Sequence, residues 1–375
     1  MSWRRHLHRH PELSFQEHET AGFIEGTLAS FGGLELSRPT PTSVVGRLVT
    51  GQAGPVLALR ADIDALPILE ESGLPFASER DGVMHACGHD GHSAALLAVT
   101  RLLLGLRGQL RGEVRFLFQH AEEQLPGGAR ELIAVGALDG VDFVVGCHLV
   151  TSLELGMVAV PVGPFMAAPD TFSIVVEGTG GHAAAPHHTI DPIPIAAQVV
   201  TNLQHVVARE TDAGERVVVS VTRIAGGSAD NVVPESVELG GTVRTFSTEL
   251  RDRTRAAMER VVVGIAQAHG ARYRFDYTDG YLPVDNEPAL AARVAAAARR
   301  ALGEDAILTD FPPVMYGDDF SAYQREAPGV YFHAGARSEE TGAVFPHHHP
   351  RFSFDERAME NAVAVFVETA FELLA

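Results

Sequence analysis

The chain has 375 residues, 46% of them hydrophobic and 21% charged, with a formal net charge of −19 and a pI near 5.3. Length predicts two or three domains, composition excludes disordered and collagenous chains, and two cysteines exclude a disulfide framework. An acidic surface repels phosphate backbones, which excludes nucleic acid and anionic membrane as expected partners.

No apolar run approaches the ~18–20 residues of a membrane span. The first residues, MSWRRHLHRHPELSF, are basic but lack the apolar core of a signal peptide. The expected setting is a reducing cytoplasm. In chain order, residues 17–31 predict a helix with Ala21, Phe23, Ile24 and Leu28 on one face, ended by Gly32 and Gly33. Residues 44–49 and 55–60 predict strands. The second, PVLALR, is almost continuously apolar, as in a strand buried on both faces. It runs out at Asp62 and Asp64, and strand carboxyl ends are where α/β sheets gather function.

Residues 84–92, MHACGHDGH, bring Cys87, His89, Asp90 and His92 into one short stretch. Thiolate, imidazole and carboxylate are the donors that a borderline-soft divalent metal takes. Residues 93–106 predict a buried helix, so the donors are expected on the loop before its N-terminus. There the helix dipole favours a thiolate at Cys87. A lone C-x-H pair is more often packing than ligand, so its weight depends on donors downstream.

Such donors follow. Residues 113–119, EVRFLFQ, predict a strand running into His120-Ala-Glu122-Glu123. Adjacent carboxylates are costly unless a cation neutralises one, which leaves the other for proton transfer. A helix is expected from Gly127-Gly128 to about residue 135. Residues 142–147 predict another buried strand, ending at His148.

Residues 161–170 read as a linker. Strand 171–177, helix 191–209, strands 216–224 and 237–245, helix 249–269 and strand 272–277 follow in β-α-β-β-α-β order, that of a ferredoxin-like domain. The expected fold is therefore α/β: a domain of residues 1–164 and 279–375, with a mixed, largely parallel sheet flanked by helices, interrupted by an inserted α+β domain of residues 165–278. The remainder predicts a helix at 289–302, a strand at 329–335, the loop Phe345-Pro-His347-His348-His349-Pro350, and a last helix opened by a Ser353–Glu356 capping box.

Cys87, His89, Glu123, His148 and one of the three loop histidines are too many donors for one tetrahedral zinc with an open position. They suit two cations ~3.5–4 Å apart that share one ligand and a bridging hydroxide. Glu122 is then available as general base, and the reaction class is hydrolysis of an amide or related carbonyl. Nucleophilic catalysis by Cys87, with His85 or His89 as base, leaves the Glu pair and the loop histidines without a task. A non-catalytic metal store has no use for Glu122. In the inserted segment, His182 and Asn231 are candidate donors to an oxyanion, and Arg244 a candidate carboxylate clamp.

The stretches 4–12 (RRHLHRHPE), 60–67 (RADIDALP), 84–90 (MHACGHD), 118–123 (FQHAEE), 181–187 (GHAAAPH) and 241–245 (GTVRT) together resemble the M20 metallopeptidase family, in its aminoacylase, hippurate hydrolase and IAA-amino acid hydrolase-like branch. The resemblance implies hydrolysis of N-acyl amino acids, with dipeptidase or carboxypeptidase activity as the alternative. It implies two divalent ions per subunit, zinc first, with Mn, Co or Ni as substitutes. Cys87 would bridge them, with His89 and His148 on one ion and Glu123 and His348 on the other. Glu122 would be the base and Asp64 its orienter. His182 and Asn231, of the same or of the partner subunit, would polarise the scissile carbonyl, and Arg244 would hold the substrate carboxylate. The resemblance also makes the first domain catalytic and the inserted one a lid, through which it implies a homodimer or a homotetramer. Departures from the family pattern are His120 in place of Pro, Asp318 in place of Glu, and the flanking His347 and His349. His120 offers a rival donor.

Overall fold

Apolar runs without alternation become the centre of one sheet, because a strand covered on both faces has no solvent side to mark. The computed structural model describes residues 1–375. Its eight-stranded sheet runs Glu35–Ser37, Val44–Val49, Glu113–Gln119, Val56–Asp62, Phe143–Glu154, Gly329–Arg337, Val158–Ala159 and Ile307–Leu308. The four strands from Glu113–Gln119 to Gly329–Arg337 pair in parallel. Antiparallel pairs occur toward both edges. Leu57 and Leu59 are fully buried, and each such side chain contributes about 1.5–3 kcal/mol through burial.

Helices His89–Gly105, Pro288–Leu302 and Ala358–Leu374 pack on this sheet and on one another. Their apolar residues join those of the strands in a single core that includes Leu96, Val294 and Phe366. Register aligns the ends that matter: Asp62 pairs with Gln119, and His148 pairs with His333.

The chain folds into two compact units. The first comprises Met1–Phe165, Asp285–Pro312 and Asp319–Ala375, and the second Met166–Val284 with Pro313–Asp318. The second unit is a four-stranded antiparallel sheet in the order Val218–Gly226, Ser236–Thr245, Ala168–Glu177, Arg272–Thr278. Numbered by sequence within the unit, that is 2-3-1-4, as the β-α-β-β-α-β order requires. Helices Pro192–His205 and Thr248–Ala268 complete the layer, capped by Asp191 on Ile193 N and by Ser247 on Leu250 N. Phe172, Ile174 and Val176 alternate into its core with Val199, Leu239 and Met258.

This unit extends beyond the expected 165–278. The Gly280 N–H donates to Asp170 at 2.8 Å and Arg251 reaches the Tyr281 carbonyl, which hold the segment after the last strand. Residues 313–318 join it because Ala167 N–H bonds the carbonyls of Val314 and Tyr316, each at 3.1 Å.

Several local expectations shift. The helix expected from residue 93 begins at His89. The strand expected to end before His148 continues to Glu154, since its parallel partner holds it through Val150. The last helix begins at Ala358, and Asp355, rather than Ser353, accepts at its start, from the Arg357 N–H at 3.0 Å. Residues 2–9 form a further helix, outside the expected elements. No helix is long and apolar enough to cross a membrane.

Candidate metal centre

Gly88 is left-handed, with φ +90°, and this turn sets Cys87 beside the first helical residue, His89. Two donor triads meet at Cys87. Ligand atoms of Cys87, His89 and His148 lie within 4.8 Å of one another, and so do those of Cys87, Glu123 and His348. A third group joins His89 to Glu122 and Glu123. Cys87 Sγ is 3.4 Å from His148 Nε2, and His348 Nε2 is 3.1 Å from Glu123 Oε1. The His348 N–H bonds the Ala86 carbonyl at 2.8 Å, which ties the histidine loop to the cysteine turn.

The imidazoles are oriented from behind. His148 Nδ1 donates to the Leu149 carbonyl at 2.9 Å. His89 Nδ1 donates to Asp64, 3.0 Å from its carbonyl and 3.1 Å from Oδ1. Both rings therefore present Nε2 to the centre, the arrangement that outer carboxylates and carbonyls impose on metal-binding histidines. The Asp64 carboxylate also accepts from Ser14 Oγ at 2.7 Å and, at 3.0 Å, from the N–H of Glu123, the residue next to Glu122.

The electrostatics call for a cation. Burial, reinforced by Glu123, Glu122 and Asp62, raises the Cys87 thiol well above its usual range. The dipole argument for a thiolate thus loses to desolvation and three carboxylates. Burial opposes a charge on His89, but Asp62, Asp64 and Glu123 outweigh it and hold the imidazolium up to about 10. His89 Nε2 is nevertheless buried without a hydrogen-bond partner. A divalent ion fits these residues, because it would replace that proton and stabilise the thiolate in one step. The raised thiol also disfavours the nucleophilic-cysteine alternative. Its suggested base His85 is pushed down to about 4, chiefly by burial.

Other histidine-loop and motif residues have separate tasks. His347 Nε2 donates to the Leu149 carbonyl at 3.0 Å, and its ring packs edge-on to His148 at 5.0 Å. His349 Nδ1 accepts from the Arg351 N–H at 3.0 Å. His120 Nε2 faces Glu131 at 3.1 Å and belongs to none of the donor groups, which corrects its reading as a rival ligand. Asp318 is buried.

Asp90 is held by other partners, and His92, grouped with Asp62 and His89, has both ring nitrogens already bonded. Asp90 Oδ2 accepts from Arg4 Nε at 3.0 Å and His8 Nδ1 at 2.9 Å, and His8 Nε2 meets Glu70 at 3.1 Å. His92 sits between Asp62, 2.6 Å from Nδ1, and the Leu149 N–H, 2.9 Å from Nε2. The sequence signal for this clamp was the Arg4/His8 spacing, which puts both side chains on one face of a helix.

The second unit brings two of its expected residues together. Gly181–His182 pairs with Val232–Val233, and the Ala183 N–H bonds the Asn231 carbonyl at 3.1 Å. Both His182 and Asn231 are exposed. Arg244 is the penultimate residue of the strand Ser236–Thr245, with Nε on the Met315 carbonyl at 3.0 Å and Nη1 on the Val243 carbonyl at 3.0 Å.

Comparison with known proteins agrees with this layout. The profile of peptidase family M20/M25/M40 matches residues 58–372. An N-acyl-L-amino acid amidohydrolase of Geobacillus stearothermophilus is 58% identical over 286 residues, 76% of this chain and 77% of the relative. A thermostable carboxypeptidase of Saccharolobus solfataricus is 39% identical over 360 residues, 95% of this chain and 91% of its own. A Bacillus subtilis dinuclear metal-binding peptidase of the M20 family superposes with a TM-score of 0.85 at 39% identity, covering 99% of this chain and 96% of that one.

Proposed function

Because the chain belongs to peptidase family M20/M25/M40 and is a hydrolase of amidohydrolase type, we propose that it cleaves the amide bond of N-acyl-L-amino acids, N-acetyl or hippurate-like, to a carboxylic acid and an amino acid. The observation carrying this reading is the pair of donor triads sharing Cys87, with Glu122 grouped beside His89 and Glu123. Cys87 would bridge two divalent ions, with His89 and His148 on one side and Glu123 and His348 on the other. Zinc suits this mixed set first, and Mn, Co or Ni are compatible with it. When bound, the ions supply Lewis-acid polarisation of the scissile carbonyl and acidify the attacking water.

The chain's own residues do the remaining work. Glu122 takes the proton from the attacking water and delivers it to the leaving nitrogen. Asp64 fixes the His89 tautomer and the Glu123 backbone. The second unit, of this subunit or of its partner, would supply His182 and Asn231 as donors to the oxyanion and Arg244 as the grip on the substrate α-carboxylate. Self-association as a homodimer through the second unit is supported by its edge strand Val218–Gly226, on which Ile224 is 62% exposed.

A panel of N-acetyl- and N-benzoyl-amino acids beside dipeptides tests the substrate class on Zn²⁺- or Mn²⁺-loaded protein. The acyl substrates are expected to lead in kcat/KM by at least ~10-fold. A lead for dipeptides would move the assignment to a carboxypeptidase or dipeptidase, a reading that the similarity to the Saccharolobus carboxypeptidase keeps in view. Arg244→Ala is expected to raise KM ~10–100-fold for substrates with a free α-carboxylate, the loss of a charge-assisted pair. An equal rise with a carboxamide analogue would remove Arg244 from the clamp role.

A further inference from the structure

We propose that Glu17 is a positioning residue of the metal centre, its carboxyl group holding the left-handed peptide at Ala121 that aims Glu122 and Glu123. The proposal rests on the reading of Glu123 as donor and Glu122 as base. Three residues other than glycine have positive φ: Phe15 at 64°, Ala121 at 49° and His348 at 64°. Such a conformation persists where the surroundings over-determine it.

At Ala121 they do so from both sides. Its N–H donates to Glu17 Oε1 at 2.8 Å, and its carbonyl accepts from the Gly128 N–H at 3.0 Å. Residue 128 must be glycine for that approach, because a Cβ there would lie 2.0 Å from the His120 carbonyl oxygen. Glu17 is 0% exposed and immediately precedes the helix His18–Phe31. Ser14, in the same turn, bonds Asp64, so one segment supports both the orienter of His89 and the peptide before the Glu pair.

Glu17 Oε2 is buried without a hydrogen-bond partner. Burial, with the Asp64 charge, pushes the acid up to about 8. The Ala121 N–H needs an acceptor at this place, charged or neutral. Glutamine reproduces it, and methionine fills similar space without it.

The test compares wild type, Glu17→Gln and Glu17→Met by Co²⁺ affinity against a chelator, the thiolate-to-cobalt absorption band, and kcat and KM on an N-acyl amino acid. Glu17→Met is expected to bind Co²⁺ ~10–100-fold more weakly, the usual effect of losing an outer support, and to lose kcat with KM within ~3-fold. Glu17→Gln is expected to stay within ~3-fold of wild type in all readouts. Adding Ala121→Gly to Glu17→Met is expected to recover part of the loss, because glycine adopts positive φ unaided. Unimpaired Glu17→Met, or Glu17→Gln as impaired as Glu17→Met, overturns the proposal. If Glu17→Met does not fold, Glu17→Gln alone decides, and a tenfold loss in it is the overturning result. Wild type that neither binds Co²⁺ nor cleaves N-acyl amino acids would instead remove the functional reading beneath the proposal.

Discussion

Glu122→Gln is expected to lower kcat ~10²–10⁴-fold, the range for losing a general base, while both metal ions stay bound. Glutamine keeps the shape of glutamate but cannot carry the proton between water and leaving nitrogen. Glu122 is 7% exposed, and its Oε2 lies 4.0 Å from His89 Nε2, within the donor cluster but outside both triads that contain Cys87. Elemental analysis of the variant, alongside kcat and KM, separates the roles. Retained metal with lost turnover identifies the base. Lost metal would make Glu122 a ligand, an outcome that its grouping with His89 and Glu123 makes concrete. Unchanged turnover would place the base elsewhere.

Cys87→Ala should have the other large effect, on the metals themselves. Both triads contain Cys87, so a single substitution removes a donor from each. Loss of an outer-shell partner costs ~10–100-fold in affinity, and a shared inner donor is expected to cost more. Wild type should bind metal more tightly as pH rises. The Cys87 thiol lies above its usual range and His89 lies at about 10, and both must release protons to the solvent when metal binds. With residue 87 no longer titrating, the pH slope of affinity should fall. The metal-free variant should remain folded, since a neutral buried thiol becomes a smaller apolar group. Competition titrations at several pH values, with thermal melts with and without metal, measure these effects. Affinity and slope equal to wild type would remove Cys87 from the centre.

The candidate donors were legible because each follows a local signal. Glu122 and Glu123 come after the apolar strand Glu113–Gln119, and Cys87 and His89 stand at a glycine turn before a buried helix. His148 was legible for a partly mistaken reason, since its strand does not end there but runs on to Glu154. The choice among His347, His348 and His349 came from family pattern. Geometry separates them physically: one bonds a backbone carbonyl, one reaches Glu123 and one closes a turn.

What lay outside the reach of local reasoning is the support. Asp90 looks like a donor until Arg4 and His8, more than eighty positions away, occupy its carboxylate. Asp64 shows no link to His89 or Ser14 until the fold brings both to its carboxylate. Glu17 carries no chemical signature at all before its bond to Ala121 is seen.

By itself, then, the sequence determined the α/β class, the inserted β-α-β-β-α-β segment and a set of candidate donors, because periodicity and side-chain chemistry are local properties. Only the tertiary structure decided which of those groups face one another and which are consumed as supports. A buried polar atom takes its role from the partner that satisfies it, and here those partners come from opposite ends of the chain.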